Sequence, residues 1–284
     1  MSAIIFDGRA EAKKRKEELK KDVSMSINRI GVIPKLVSFY LPQDEGSALY
    51  TRIKKKAAEE VGIEFEDIEI KDKEDIKGIV EKIREHNADK SVHGILVQKP
   101  SGVNNFKTED WTVIVSAIDP EKDIDGLSPE NIGLISIGNA RFLPATVKAV
   151  LVVMEAANIT HQECDITIVG DTDILGKPLA TYLLGQGFRV TIVNKETKDL
   201  KTATVGADVI VSATGVPDLI KKDMVKLGAV VIDVGEPRGD VAEEVREVAS
   251  FLSPVPGGVG PLTVVSLLEN TQIAAAYLNF MEIT

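Results

Sequence analysis

Tyr50 and Lys54 stand four residues apart in GSALYTRIKKKAAEEVG (46–62), the separation that brings two side chains onto one flank of a helix. Leu49, Ile53 and Ala57 are the expected apolar stripe, with Tyr50 and Lys54 along its border, Lys55 towards solvent and Lys56 on the opposite flank. An amine held beside a ring and partly out of water has its charged form disfavoured. That moves it towards the range in which it can exchange protons. The plain alternative is a solvated lysine face. Gln98 follows VHGILV (92–97) and places an amide where strands of α/β sheets end against ligands. DPEKDIDG (119–126) gathers carboxylates, one lysine and a glycine into one loop. Such a loop either builds a turn or offers a carboxylate to adjacent N–H donors. SPVPGGVGPLT (253–263) carries three prolines and three glycines. Stiff, bare main chain of this kind suits close approach to a flat ligand.

A second set of residues points to a phosphate. VGDTDILGKP (169–178) joins an apolar strand to a helix, with Gly170 and Gly176 bracketing the turn and Pro178 in the first helical turn. Free N–H groups and the helix dipole converge there. An ordinary tight turn would look similar, but Gly215 and Gly235 also follow apolar strands, and the series together reads as a dinucleotide site. The end of the second strand of such a unit separates NAD from NADP. TIVNKET puts Asn194 and Lys195 there, and a cation suits the extra phosphate of NADP. Asp171, inside the glycine turn, opposes a nearby phosphate and keeps NAD open.

The elements that must hold these residues alternate. Helical spacing covers 9–27, a strand 35–41, a helix 46–62, a strand 64–70, a helix 74–86 and a buried strand 92–97. NIGLISIGNARFLPAT (131–146) carries Gly and Pro punctuation between the halves. A connecting helix over 147–158 follows, then strands at 165–170, 188–194, 207–215 and 229–235, with helices at 174–186 and near 220–226. The expected fold is α/β, with two α/β domains flanking a cleft, the second a Rossmann-type doubly wound parallel sheet. The expected division is 1–145 plus 262–284 against 146–261, the last helix (262–280) packing back on the first domain.

Composition narrows the class. Of 284 residues 44% are hydrophobic and 27% charged, as in soluble globular chains. A net charge of −10 argues against nucleic-acid or anionic-membrane partners. No apolar run is long enough to span a bilayer, and the N-terminus lacks the order of a signal peptide. One cysteine, Cys164, suits a reducing cytoplasm and reads as a small filler. His86, His93 and His161 lack metal-ligand spacing, so no metal is expected.

Taken together, S-x-x-Y-x-x-x-K (47–54), HGILVQ (93–98), PEKDIDG (120–126), GAVVIDVG (228–235) and PVPGGVGPLTV (254–264) resemble the bifunctional methylenetetrahydrofolate dehydrogenase/methenyltetrahydrofolate cyclohydrolase family. The motifs follow the family's order along nearly the whole chain. The resemblance implies oxidation of 5,10-methylenetetrahydrofolate with NADP, then hydrolysis of the methenyl product to 10-formyltetrahydrofolate, in one-carbon metabolism and purine biosynthesis. It also implies a homodimer. By position, Lys54 would be the catalytic lysine, Tyr50 would stack on the folate, Gln98 would position Lys54, and Asp125 would anchor the pterin. Val97, Pro256, Gly257, Gly258 and Gly260 would line the substrate pocket. Gly170, Asp171, Thr172, Lys195, Gly215 and Glu236 would contact the cofactor, NADP, with NAD possible.

The sequence departs from the family's habit at several points. VQKPSG replaces VQLPLP, putting Lys99 beside the site. Asp171-Thr172 stand where Arg-Ser is common, Lys195 where serine is, and Glu236-Pro237 where Ile-Asn is. All but the first bear on the cofactor. A dehydrogenase of the same build acting on a shikimate-like acid, and a nucleotide-sensing protein without turnover, are the competing readings.

Overall fold

The computed structural model describes residues 2–70, 76–99, 108–160 and 163–283. Strand β1 (Ile4–Ile5) and helix α1 (Gly8–Ile30) are followed by β2 (Lys35–Tyr40), α2 (Glu45–Val61), β3 (Glu64–Glu69), α3 (Ile76–Ala88), β4 (Gly94–Val97), α4 (Thr108–Ser116) and α5 (Pro129–Ser136). Next come α6 (Ala145–Ala156), β5 (Asp165–Val169), α7 (Gly176–Gly185), β6 (Arg189–Val193), α8 (Leu200–Thr204), β7 (Val209–Ser212), β8 (Val230–Asp233), β9 (Phe251–Ser253) and α9 (Val259–Ile283). Short 3-10 turns occupy Lys222–Met224 and Glu243–Glu247.

These elements form two compact units. One contains Lys14–Gly133, Arg141–Ala145 and the chain from Val264 onward. Its sheet is parallel, in the order β3-β2-β4. Period-two alternation sends Leu36 and Leu96 to one face, among Ala57, Ala58, Val61, Leu267 and Leu268. Val37, Phe39, Ile95 and Val97 go to the other, against Ile79, Ile83, Trp111 and Ile114. Each large side chain buried this way contributes about 1.5–3 kcal/mol, so the two faces fix the strand register.

The other unit contains the residues up to Lys13, Leu134–Ala140 and Thr146–Thr263. Its six strands are all parallel, in the order β1-β9-β8-β7-β5-β6. The apolar runs DITIV, VIVS and VVID are buried almost throughout, as strands covered on both faces must be. This is the doubly wound arrangement.

Several boundaries differ from those read off the sequence. Residues up to Lys13 group with the six-stranded unit, because Ile4 and Ile5 pair with Phe251 and Leu252. The stretch read as punctuation, 131–146, includes most of α5 and the start of α6. The last helix begins at Val259, so Gly260 and Pro261 lie in its first turn, where proline is tolerated. Helix 74–86 is α3; residues 74 and 75, like His161 and residues 100–102 of VQKPSG, lie outside the described residues. Among the described residues no helix is long and apolar enough to cross a membrane.

Candidate active site

Helix α2 is well delimited. Asp44 caps it by accepting the Ser47 N–H at 3.1 Å, and Gly62, with φ of 86°, ends it in the left-handed conformation. Its buried face is Ser47, Thr51, Lys54, Ala57, Ala58 and Val61. This corrects the expected stripe: Leu49 and Ile53 are exposed, at 49% and 44%, and Lys54 lies on the buried face rather than along its border. Thr51 is inexpensive to bury because its hydroxyl donates to the Ser47 carbonyl within the helix, at 2.9 Å. Apolarity alone therefore marked the wrong face. Tyr50 is half-buried beside that face. Lys55 pairs with Asp67 at 2.5 Å and Lys56 is exposed.

Lys54 is only 8% exposed, and an ammonium so enclosed needs a partner. Its Nζ donates to Gln98 Oε1 at 2.5 Å. Gln98 is itself anchored, its N–H donating to the Phe39 carbonyl at 2.8 Å just past β4. The sheet order puts β2 between β3 and β4, so successive connections lead to opposite sides of β2, and the switch point lies at the carboxyl ends of β2 and β4, where such sheets bind ligands. Neighbouring Lys99 turns away to lie over Trp111, 5.6 Å from the ring centroid. Val97 is buried among the apolar residues of the far face.

The acidic loop separates into structural and available carboxylates. Asp119 accepts the Glu121 N–H at 2.9 Å. Lys122 Nζ donates to the carbonyls of Asn87 and Asp89, both at 2.7 Å, closing the end of α3. Asp123 is fully enclosed and accepts from the Ser128 N–H at 2.7 Å and Asn131 Nδ2 at 2.9 Å. Asp125 accepts the Ala145 N–H at 3.3 Å. Its carboxyl is desolvated although the residue reaches the surface. Burial outweighs the attraction of Lys54 and pushes its pKa up to about 6. Asn270 of α9 ties this loop down, donating to the Ile124 and Leu143 carbonyls at 2.9 and 3.0 Å. Asn131 and Asn270 were not identified from the sequence. The signal for Asn270 was a polar residue inside the apolar run LTVVSLLENTQIAAAYL.

In the six-stranded unit the switch point lies between β5 and β7, and glycines crowd it. A β-carbon on Gly170, whose φ is 112°, would stand 2.6 Å from the Ala213 carbonyl oxygen; one on Gly176 would stand 1.9 Å from that of Gly170. Only bare backbone fits, which is the cradle a pyrophosphate needs. Thr172 stands in the same turn, its carbonyl accepting the Lys177 N–H at 3.1 Å. Gly215, with φ of 72°, approaches the Glu236 carbonyl. Asp171 and Asn194 are joined by a hydrogen bond of 2.9 Å, and Lys195 is exposed beside them.

Two buried acids support these loops and were also missed. Asp240 Oδ2 accepts from Ser212 Oγ at 2.7 Å and the Thr214 N–H at 2.6 Å. Asp233 accepts the N–H groups of Gly235, Asp240 and Val241 at 2.9–3.0 Å. In the proline-glycine segment, Gly258 donates to the Pro254 carbonyl at 2.8 Å. Gly8 lies so close that its β-carbon would overlap the Gly258 oxygen. Gly257 has φ of 106°, and Gly260 faces the Glu236 carboxylate. Pro256 is exposed.

The two described histidines have structural surroundings. His93 Nδ1 accepts the Lys35 N–H at 3.1 Å, and His86 packs edge-on to Phe39. Among the described residues no group of side chains could hold a metal.

Comparison with known proteins matches residues 6–125 to the catalytic domain of tetrahydrofolate dehydrogenase/cyclohydrolase and residues 144–279 to its NAD(P)-binding domain. The bifunctional protein FolD of Exiguobacterium sibiricum is 40% identical over 280 residues, covering 96% of this chain and 99% of its own. The crystal structure of the FolD dehydrogenase/cyclohydrolase from Campylobacter jejuni superposes with a TM-score of 0.89 at 36% identity, over 96% of this chain and 99% of that one. The Trypanosoma brucei enzyme, solved with NADP and an inhibitor, gives 0.90 at 32% identity, over 97% and 98%. With a buried lysine at one switch point and a glycine cradle at the other, the chain belongs to the tetrahydrofolate dehydrogenase/cyclohydrolase family.

Proposed function

We propose that this chain oxidises 5,10-methylenetetrahydrofolate to the methenyl form with NADP and hydrolyses that product to 10-formyltetrahydrofolate. The observation that carries this reading is the buried Lys54 amine held at 2.5 Å by Gln98, beside the desolvated carboxyl of Asp125.

Hydride transfer requires orientation more than acid–base help. Bound NADP supplies the hydride acceptor. Gly170, Thr172 and Gly215 would hold its phosphates through main chain, while Asp171, Lys195 and Glu236 stand at its polar groups. Asp125 accepts the pterin's adjacent N–H donors, and Tyr50 stacks on the ring. Pro256, Gly257, Gly258 and Gly260 would take the remaining substrate-binding role, and Val97, whose side chain packs in the far-face core, would join them only through its main chain.

Hydrolysis needs an activated water at the methenyl carbon. Lys54, in its neutral form, takes the proton from the attacking water, and Gln98 keeps the amine aimed. The carbon–N5 bond then breaks as the new hydroxyl becomes the formyl C=O; the proton held by Lys54 goes to N5 and the hydroxyl proton is released to solvent. Nothing in this chemistry calls for histidine or metal. The chain works as a homodimer in the cytoplasm and supplies formyl groups towards purine biosynthesis.

The test is spectrophotometric. Purified protein with methylenetetrahydrofolate and NADP should generate methenyl absorbance and then hasten its decay. Lys54→Ala should slow the decay by about 10²–10⁴-fold. Unchanged decay in that variant would sink the assignment.

A further inference from the structure

Asp171, one of the departures at the cofactor turn, and Asn194 form one device. Asn194 Nδ2 donates to Asp171 Oδ2 at 2.9 Å, and the amide cannot readily turn over. Its Oδ1 accepts the Glu196 N–H at 3.0 Å. Its main chain is pinned by Thr197, whose Oγ1 accepts the Asn194 N–H at 3.2 Å and whose own N–H donates to the Asn194 carbonyl at 3.0 Å. With the acceptor end committed, the amino end must face Asp171.

The result is a carboxylate held at the carboxyl end of β6, where the adenosine ribose of a dinucleotide lies in doubly wound sheets. An acid there usually belongs to the second strand; here the neighbouring turn supplies it. The Asn194 hydrogen bond, then nearby Lys177 and Lys195, keep its pKa below the ordinary carboxylate value, so it is charged at neutral pH. A carboxylate has about four acceptor positions, enough for Asn194 and two vicinal hydroxyls. A ribose 2′-phosphate meets the same fixed negative charge. The cation that would favour it, Lys195, lies within the field of that same carboxylate.

We propose that Asp171, fixed by Asn194, determines cofactor specificity by receiving the adenosine ribose hydroxyls, so that the chain accepts NAD alongside NADP. This rests on the dehydrogenase reading above and deepens it.

ADP-ribose and its 2′-phosphate derivative differ only at the adenosine ribose, so the ratio of their calorimetric affinities reads that end without turnover. The wild-type affinities should lie within about tenfold of each other. In Asp171→Asn the ratio should move at least about tenfold towards the 2′-phosphate form. Asp171→Ser serves if a thermal melt shows the first variant unfolded. A wild-type preference for the 2′-phosphate form beyond tenfold, or a smaller shift in the variant, overturns the proposal. Binding of neither ligand overturns the dinucleotide reading as well, so the two failures are distinguishable.

Discussion

The carboxyl ends of β2 and β4, and those of β5 and β7, are sites of the same topological kind, one in each unit. They are furnished in opposite ways. The first is made of side chains: a lysine 8% exposed, an amide 2.5 Å from it and a carboxyl whose pKa is raised to about 6. The second is made of missing side chains, glycines where any β-carbon would strike a carbonyl. Desolvated charge tunes proton affinity and suits bond-making. Bare N–H groups bind phosphate without competing for protons. The difference teaches that one sheet order can serve chemistry or binding, according to whether the strand ends carry functional groups or expose backbone.

The sharpest way to break this contrast is at its chemical end. Lys54→Met keeps the volume and removes the amine, and should cost cyclohydrolase activity about 10²–10⁴-fold while leaving ADP-ribose affinity intact in calorimetry. If both properties fell together, the two sites would not be separable.

Next in size is Gly176→Ala. Its β-carbon would overlap the Gly170 oxygen, so the turn must open, at a cost of about 1–3 kcal/mol. Dinucleotide binding should fall with methenyl hydrolysis retained. A variant that bound cofactor normally would show that the cradle tolerates a side chain.

Gln98→Leu should lower the hydrolytic turnover by about 10–100-fold, with a smaller effect in Gln98→Glu, which can still accept from Lys54. Equal losses in both variants would mean that Gln98 does more than hold the amine.

The smallest effect is on stability, and its sign is informative. Asp125 titrates near 3.8 ordinarily and near 6 in the folded chain. Near pH 3.5 the carboxyl is protonated in the folded chain and mostly so in the unfolded one, so it costs almost nothing. Above pH 6 the folded state holds a charge that the unfolded chain hydrates better, a penalty of at most about 3 kcal/mol. Asp125→Asn should therefore raise the denaturation midpoint at pH 7.5 and leave it unchanged near pH 3.5, while weakening folate binding. Urea melts at the two pH values decide; a loss of stability at both would show that the carboxylate is a structural support.

Much of this was legible in the sequence because parallel strands buried on both faces leave continuous apolar runs, such as DITIV and VIVS. The glycine turns were legible because steric exclusion leaves no other residue. What escaped was cooperative. β1, two residues long, exists only through its partner β9, and α4 has no strong amphipathic pattern of its own. On α2 the buried face is partly hydroxyl-bearing and the exposed one partly aliphatic, so periodicity pointed the wrong way. Asn131 holds Asp123, and Asn270, 146 positions beyond Ile124, holds the Ile124 carbonyl, so the loop around Asp125 is tied down by relations that local spacing does not carry.

The pairing of Ile4 with Phe251 has a consequence for biosynthesis. Ile4 and Ile5 must wait until Phe251 and Leu252 have left the ribosome before they acquire their strand partner. Nascent chains arrested short of Phe251 should therefore remain open to proteases around Ile4, and addition of β1 to the sheet should be a late folding event, since its contact spans so much sequence.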